Sequence, residues 1–328
     1  MAVTTALVSQ LAVGAVALYT LVTAAERAID RLLALAQYYG VSEVLVGMTI
    51  VALGTSLPEI SAHVAASVGI LSGVLDYEIG SAVVLGGNMG SSTVQQLLLF
   101  GLFLVGYGQF DVSDELVRTS YVPMVLAFVG VLVVAVDGQI SRLDGLLLLA
   151  GYLVYIAYSV THRERATLVP EPPSTDPRRD ALAAGVLLAL VLLSASLLLP
   201  VVQAVVEHLA LGGSMVGVVT IGVAAALPEL TTVLDAVRRR TPNVAIGTLL
   251  GSNIVNPLVG IGLGGAISTY RVPRAVVVWD LPFKLLVALG VLGYLRYSGG
   301  SLTRREGGYL VVLYFVFVTT RLLLFPGQ

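Results

Sequence analysis

Two short segments of the sequence place a carboxylate inside an apolar run. The first, VALGTSLPEISAHVAAS, occupies residues 51–67 and contains Glu59, and the second, TIGVAAALPELTTVLDA, occupies residues 220–236 and contains Glu229. Each glutamate follows the same Leu-Pro pair. An ionisable side chain within a membrane-spanning segment is costly and is usually functional. The matching pair therefore indicates one shared site rather than two separate structural contacts.

A proline directly precedes each glutamate and interrupts its helix. Pro58 cannot donate a hydrogen bond to the carbonyl of Gly54, and Pro228 cannot donate one to Ala224. In hydrocarbon, such freed carbonyls are tolerated only where the backbone is buried in protein or lines a wet cavity. Cations are suitable partners for these oxygens. We therefore expect both helices to loosen just before the glutamates.

Other oxygen-bearing side chains share helix faces with the glutamates or with one another. Thr55 and Ser56 lie four and three residues before Glu59. Hydroxyl and amide groups at i and i+4 spacing add two further pairs: Ser91 with Gln95, and Ser252 with Asn256. Oxygen ligands suit hard ions such as Ca²⁺, Mg²⁺ and Na⁺. Two carboxylates balance one divalent cation or two monovalent cations.

His63 lies one turn beyond Glu59 on the same helix face. An imidazole in this place could be a proton-sensitive neighbour of the carboxylate. The interpretation that we favour is a polar lining residue, or a residue that forms a hydrogen bond to an adjacent helix.

The composition places these segments in a membrane protein. Of 328 residues, 57% are hydrophobic and 12% are charged, against roughly 25% charged residues in soluble domains. The absence of cysteine excludes disulfides and thiolate metal sites. No basic tract indicates nucleic acid as a partner. The expected partners are divalent and monovalent cations and the lipid bilayer, with no cofactor and no obligatory protein partner.

Apolar runs of about 20 residues, the length that spans the hydrocarbon, recur along the chain. They predict an all-α membrane protein with ten transmembrane helices. The predicted spans are 6–35, 42–72, 80–107, 121–137, 144–160, 181–208, 214–236, 244–268, 275–295 and 307–325. The amino end lacks the charged region and cleavage site of a signal peptide, so the first run is interpreted as a retained helix.

The basic residues predict the orientation of these helices. If the amino terminus lies outside, most arginines fall at cytoplasmic ends, and Arg142, Arg271, Arg274 and Arg321 fall outside. This distribution follows the positive-inside rule. We therefore predict a multi-pass protein of the cell membrane with both termini extracellular.

A polar, proline-rich segment divides the chain into two halves. We predict a first five-helix repeat over 1–161, a cytoplasmic linker over 162–180 and a second five-helix repeat over 181–328. A shift of 170 positions aligns GMTIVALGTSLPE (47–59) with GVVTIGVAAALPE (217–229). With five helices per half, the second copy enters the membrane inverted. Inverted repeats with interrupted helices near the midplane are typical of secondary transporters.

Two motifs resemble the signature of a known family. GVSEVLVGMTIVALGTSLPEIS (40–61) and AIGTLLGSNIVNPLVGIG (245–262) are similar to the two α-repeats of the sodium/calcium exchanger family, within the cation/calcium antiporter superfamily. The resemblance covers essentially the whole chain. It implies ten helices, a central cation site on the second, third, seventh and eighth, and alternating access by sliding of the first and sixth. It assigns ligand side chains to Glu59, Glu229, Thr55, Ser56, Ser91 and Ser252, and ligand carbonyls to Ala52, Thr55, Gly222 and Ala225.

The chain departs from the family pattern mainly in the second repeat. Where the family usually has GTSLPE, this sequence has AAALPE, so Ala225 and Ala226 lack two hydroxyls that the resemblance would assign to sodium. Gln95 replaces a shorter amide, and Asn256 stands where many members have an acid. We therefore expect an asymmetric site that holds fewer sodium ions, with weak or absent sodium dependence and with proton coupling through the glutamates left open.

The leading hypothesis is a secondary antiporter that exports Ca²⁺ against entering Na⁺ or H⁺. The alternatives are an exchanger of Mg²⁺ or Mn²⁺ with little sodium dependence and, with less support, a cation channel. An ATP-driven pump is disfavoured because the sequence has no GxxxxGK loop. A membrane-embedded enzyme is disfavoured because the sequence has no HExxH motif and no acid/base pair beyond the glutamates.

Overall fold

Helices dominate the computed structural model of the chain. It describes residues 2–39, 52–162, 176–209, 212–239 and 242–327. Within these ranges, eight helices are long and apolar enough to cross a membrane: Ser9–Leu35, Tyr77–Tyr107, Asp114–Ala135, Arg142–Thr161, Pro177–His208, Ala245–Ser268, Val276–Tyr297 and Arg304–Leu324. Seven of them coincide with a predicted span to within four residues at each end, and Asp114–Ala135 begins seven residues before its predicted span, 121–137.

The two remaining predicted spans contain the glutamates, and both are broken. Gly213–Ala225 and Leu227–Arg238 form a bent pair with an angle of 41° between its parts, which counts as a ninth span if the pair is one unit. Leu57–Leu71 is apolar but has only 15 residues. Residues 42–51, which form the first part of that predicted span, lie outside the described residues. The prediction of ten spans is therefore confirmed for eight helices, or for nine with the bent pair.

The helical elements are numbered here in chain order. They are α1 (Ala2–Tyr38), α2 (Ala52–Thr55), α3 (Leu57–Leu71), α4 (Tyr77–Thr93), α5 (Phe100–Tyr107), α6 (Asp114–Leu116), α7 (Val122–Ala135), α8 (Arg142–His162), α9 (Pro177–Leu209), α10 (Gly213–Val219), α11 (Ile221–Ala225), α12 (Leu227–Arg239), α13 (Pro242–Val255), α14 (Gly262–Ser268), α15 (Leu281–Tyr297) and α16 (Arg304–Leu324). Wider π-helical turns connect consecutive helices at Val94–Leu99, Val117–Tyr121, Asn256–Ile261 and Val276–Asp280. Such turns occur frequently at functional sites.

Four two-residue strands link the halves of the described chain. They are β1 (Phe110–Asp111), β2 (Gln139–Ile140), β3 (Tyr270–Arg271) and β4 (Ser301–Leu302). β1 pairs antiparallel with β4, which places Phe110 opposite Leu302. β2 pairs antiparallel with β3, which places Ile140 opposite Tyr270. Each half thus contributes one strand to each pair.

The helix interruptions occur where the prolines predict them. α2 ends and α3 begins around Ser56, whose backbone has φ −90° and ψ 5°. α11 ends and α12 begins around Ala226, with φ −84° and ψ 1°. Pro58 and Pro228 follow these residues by two positions, as expected for residues that cannot continue the preceding ladder of hydrogen bonds. A further interruption at Thr220, between α10 and α11, has no proline and was not predicted.

Glycines bring the broken helices close to α4. A Cβ added to Gly86 or to Gly217 would collide with the backbone of the facing helix, and one added to Gly222 would lie 2.7 Å from the amide nitrogen of Ser91. Only glycine permits so close an approach of two backbones. The two short helices that precede Glu229, α10 and α11, therefore lie directly against α4, which carries Ser91.

Besides Glu229, the charged side chains Asp280, Lys284 and Arg321 are fully buried in the described part of the second half. The guanidinium of Arg321 donates to Asp280 Oδ1 through Nε at 3.0 Å and to Ser214 Oγ through a terminal nitrogen at 2.7 Å. Lys284 Nζ lies 4.1 Å from the centre of the Phe128 ring. Arg321, which the charge distribution placed among the outer residues, thus forms a buried ion pair for which the sequence gives no signal.

Candidate cation site

The two glutamates are buried at the starts of the helices that follow the breaks. Glu59 lies in the first turn of α3 and is 2% exposed, and Glu229 lies in the first turn of α12 and is 0% exposed. The ion pairs that the described residues form involve other side chains. The two carboxylates are therefore buried without a basic partner in this part of the chain.

A chain of hydrogen bonds connects the two carboxylates. Ser91 Oγ donates to Glu59 Oε1 at 2.6 Å. Gln95 Nε2 lies 3.2 Å from Ser91 Oγ and donates to Glu229 Oε1 at 3.1 Å. Ser91 lies near the end of α4 and Gln95 lies in the π-helical turn that continues it. One helix thus contacts both glutamates.

Side chains of α13, of the π-helical turn that follows it and of the first break complete the network. Ser252 Oγ donates to Glu229 Oε1 at 3.0 Å and lies 3.1 Å from Thr55 Oγ1. Asn256 Nδ2 donates to Glu59 Oε1 at 3.3 Å. Seven of the side chains selected from the sequence therefore meet in one buried network: Glu59, Glu229, Thr55, Ser91, Gln95, Ser252 and Asn256.

Several oxygen atoms of this region are buried without a hydrogen-bond partner among the described residues. They are Ser56 Oγ, Glu59 Oε2, Asn88 Oδ1, Glu229 Oε2, Asn253 Oδ1 and Asn256 Oδ1. Buried polar atoms are normally hydrogen-bonded, so a group of unpaired acceptors needs an explanation. Oxygen acceptors of this kind suit a hard cation. No cluster of three or more His, Cys, Asp or Glu side chains that could hold a metal occurs in the described ranges.

The backbone positions that the resemblance selected lie at or near the breaks. Gly222 and Ala225 are buried in α11 and Ala52 begins α2, whereas the residues just before Ala52 lie outside the described ranges. Ala226, 1% exposed, occupies the break where the first repeat has Ser56. The assignment of carbonyl ligands to Ala52, Thr55, Gly222 and Ala225 stays a prediction.

Two asparagines of the site were not selected from the sequence. Asn253 Nδ2 donates to Gln95 Oε1 at 2.9 Å and to the Leu249 carbonyl at 2.8 Å. Asn88 Nδ2 donates to the Asn256 carbonyl at 2.8 Å. A signal was available for Asn88, because it precedes Ser91 and Gln95 at i, i+3 and i+7 spacing on one helix face.

His63 is fixed by hydrogen bonds at both ring nitrogens. Its Nε2 lies 3.2 Å from Asn88 Nδ2 on α4, and its Nδ1 lies 3.1 Å from the Tyr270 hydroxyl. Because the Asn88 amide nitrogen can only donate, Nε2 accepts and Nδ1 carries the proton. Tyr270 Oη in turn donates to the His63 carbonyl at 3.1 Å. The predicted hydrogen bond from His63 to an adjacent helix is therefore present.

Comparisons with known proteins identify the family of the chain. The sequence matches the family described as "Sodium/calcium exchanger protein" over residues 9–161 and 181–323. The inner membrane protein YrbG of Escherichia coli (strain K12) is 30% identical over 285 residues, which cover 84% of this chain and 85% of that protein.

Two solved exchangers share the fold. A structure of the sodium-calcium exchanger NCX_Mj, soaked with Na⁺ and Sr²⁺, has a TM-score of 0.62 at 21% identity and covers 94% of this chain and 97% of its own. The structure of the H⁺/Ca²⁺ exchanger CAX has a TM-score of 0.75 at 16% identity and covers 97% of this chain and 82% of its own. With the sequence match, these likenesses show that the chain belongs to the sodium/calcium exchanger family, a family of membrane transporters rather than of enzymes.

Proposed function

We propose that the chain is a secondary antiporter that exchanges Ca²⁺ or a related divalent cation for Na⁺ or H⁺, with Glu59 and Glu229 in one central site. The observation that carries the proposal is the state of the two carboxylates. Each has one oxygen bonded within the protein and one oxygen without a partner among the described residues. A buried negative charge without compensation is costly, and a shared divalent cation would neutralise both.

The surrounding side chains provide the other ligands in this proposal. Thr55, Ser56, Ser91, Ser252 and Asn256 bear oxygen atoms at or next to the carboxylates. The carbonyls freed at the two breaks add backbone oxygen. A set made only of oxygen suits Ca²⁺, with Mg²⁺ and Mn²⁺ as the alternative divalent substrates.

We also propose that 1–161 and 181–328 are inverted repeats joined by a linker over 162–180. The strand pairs support a two-fold relation, because exchanging the halves converts the β1–β4 pair into the β3–β2 pair. The π-helical turns recur in the same order in both halves. In this arrangement both termini lie outside, as the distribution of arginines predicts.

Alternating access in this proposal uses α1 and α9. These long helices pack along each other, and they contact the central helices mainly through α2 and α3. A cavity of about 10 Å³ between them and the breaks is lined only by apolar side chains, among them Leu18, Pro58, Leu198 and Ala225. Apolar contacts are not directional, so they permit sliding with little loss of specific bonds.

Transport by purified protein in liposomes tests the proposal. Vesicles loaded with Na⁺, with K⁺ or with acid are diluted into radiolabelled Ca²⁺, and a divalent antiporter should take up Ca²⁺ with at least one outward gradient. Glu59→Gln and Glu229→Gln should each abolish the uptake in a folded protein. Glu78→Gln is the matched control, because Glu78 is 64% exposed and pairs with Arg271. Normal uptake in either buried variant would contradict the assignment, and single-channel currents would favour a channel.

A further inference from the structure

We infer that Gln95, oriented by Asn253, presents an N–H donor to Glu229 where a cation ligand would otherwise stand, and so limits the binding of monovalent cations. This inference rests on the proposed function, since it concerns the ion preference of the same site. Gln95 acts on the carboxylate directly, and Asn253 is a positioning residue that acts through Gln95.

The orientation of Asn253 follows from a backbone contact. Its Nδ2 lies 2.8 Å from the carbonyl oxygen of Leu249, and a carbonyl oxygen can only accept a hydrogen bond. The same Nδ2 lies 2.9 Å from Gln95 Oε1. Asn253 is 1% exposed and Gln95 is 0% exposed, so bulk water does not compete for these contacts. The amide nitrogen of Asn253 is therefore committed to Gln95.

This contact decides which end of the Gln95 amide faces the carboxylate. With Oε1 held by Asn253, Nε2 points to Glu229 Oε1 at 3.1 Å and to Ser91 Oγ at 3.2 Å. A reversed amide would set its oxygen against the carboxylate and its nitrogen against the Asn253 donor. Both contacts would become unfavourable. In this orientation the amide nitrogen of Gln95, and not its oxygen, faces the carboxylate of Glu229.

The equivalent residue of the second repeat is not held by such a hydrogen bond among the described residues. Asn256 aligns with Gln95 and turns its amide nitrogen to Glu59 at 3.3 Å, but its Oδ1 has no partner among the described residues. Ser92 aligns with Asn253, and its hydroxyl bonds the Asn88 carbonyl of its own helix at 2.8 Å. Among the described residues, no donor fixes the oxygen of the amide on the Glu59 side, whereas Asn253 fixes the oxygen of the amide on the Glu229 side.

The consequence differs for monovalent and divalent cations. A monovalent cation beside Glu229 meets the Gln95 donor and two alanines in place of oxygen ligands. A divalent cation shared by Glu59 Oε2 and Glu229 Oε2 uses atoms that have no partner in the described structure, so the Gln95 donor does not oppose it. The pair of Gln95 and Asn253 thus favours one divalent cation over several monovalent cations.

The test compares Na⁺ competition with Ca²⁺ affinity in variants of the full chain. Asn253→Leu removes the donor and frees Gln95 to turn its oxygen towards the site. The Na⁺ concentration that halves radiolabelled Ca²⁺ uptake should fall by about tenfold, while the Ca²⁺ KM changes by less than about threefold. Thr93→Val is the matched control, since the buried Thr93 hydroxyl bonds the carbonyl of Met89 in its own helix.

A double variant separates positioning from a purely structural role. In the Gln95→Met background, Asn253→Leu should leave Na⁺ competition unchanged, because Asn253 acts through Gln95. If Asn253→Leu fails to fold, Asn253→Ala removes the same donor without adding a charge and should shift Na⁺ competition in the same direction. Unchanged Na⁺ competition, or a proportional change for both ions, would overturn the inference alone. Absence of any Ca²⁺ uptake and of any Ca²⁺-induced thermal stabilisation in the unmodified protein would contradict the proposed function as well.

Discussion

The breaks before Glu59 and Glu229 are alike in backbone and different in chemistry. Each is set by a proline that cannot continue the hydrogen-bond ladder, and each places a buried carboxylate in the next helical turn. The first break carries a threonine and a serine, whereas the second carries two alanines. The proline-induced break is therefore common to both halves, whereas the number of side-chain oxygen ligands at the break differs between them.

The difference continues one turn beyond each glutamate. The shift that aligns the breaks places Val233 opposite His63 and Val237 opposite Ser67. His63 and Ser67 both contact the Tyr270 hydroxyl, at 3.1 and 3.0 Å. Valine offers only apolar contacts at the corresponding places. Hydrogen bonds thus hold His63 and Ser67 on the Glu59 side, whereas the corresponding valines on the Glu229 side are held by apolar packing.

The largest effect on stability is expected from the buried charges of the second half, not from the glutamates. Asp280→Asn removes the negative partner of Arg321, and both side chains are fully buried. Leaving one charge of a buried pair uncompensated costs about 3–5 kcal/mol. We expect a corresponding loss in the free energy of unfolding, measured by denaturation of the purified protein in detergent.

Two controls accompany this measurement. Arg321→Met in the Asp280→Asn background should recover part of the loss, because no buried charge is then left unpaired. Glu78→Gln disrupts a pair whose side chains are more than half exposed and should cost less than about 1 kcal/mol. Equal losses for the buried and exposed pairs would contradict this view of the second half.

Removing single hydroxyls compares the two carboxylates directly. Ser91 bonds Glu59 at 2.6 Å and also contacts Gln95, whereas Ser252 bonds Glu229 at 3.0 Å. A hydrogen bond to a charged group contributes about 1.5–3 kcal/mol. We expect Ser91→Ala to raise the Ca²⁺ KM by more than tenfold and Ser252→Ala to raise it less. If Ser252→Ala raised the Ca²⁺ KM more than Ser91→Ala in uptake assays, the hydrogen bonds of this structure would not govern Ca²⁺ affinity.

Restoring hydroxyls to the second break should make the halves more alike. The double variant Ala225→Thr, Ala226→Ser supplies the two oxygens that the first repeat has at Thr55 and Ser56. Because more ligands offset the dehydration of Na⁺, we expect a several-fold gain in sodium-driven Ca²⁺ uptake. Steep, multi-ion sodium dependence of the unmodified protein, with no response to a pH gradient, would contradict the expectation that the second break lacks sodium ligands.

The smallest functional effect is expected at His63. Both ring nitrogens are engaged by Asn88 and Tyr270, so we expect the imidazole to hold helices together rather than to exchange protons with the site. His63→Gln should leave the pH profile of Ca²⁺ uptake unchanged and should lower the Tm modestly. A displaced pH profile, measured over pH 5 to 8, would give His63 a role in proton coupling.

Local chemistry made much of this structure predictable. Apolar runs predicted the long helices, and Pro58 and Pro228 predicted the breaks, because these features act on their own segment. The spacing of Ser91 with Gln95 and of Ser252 with Asn256 predicted faces that do meet the glutamates.

Contacts between distant segments were not predictable in the same way. Asp280 and Arg321 are 41 positions apart, and neither carries a local motif. The direction of the Gln95 amide depends on Asn253, 158 positions away. The break at Thr220 contains no proline and lies where α10 and α11 pack against α4. Such features arise from packing between helices, which a single sequence does not specify.

Calorimetric titration of purified protein with Ca²⁺ tests most directly whether Glu59 and Glu229 share one cation. We expect one Ca²⁺ per chain, and loss of that binding in both Glu59→Gln and Glu229→Gln, with Glu78→Gln unaffected. Two Ca²⁺ ions per chain, or binding that survives in either buried variant, would contradict it.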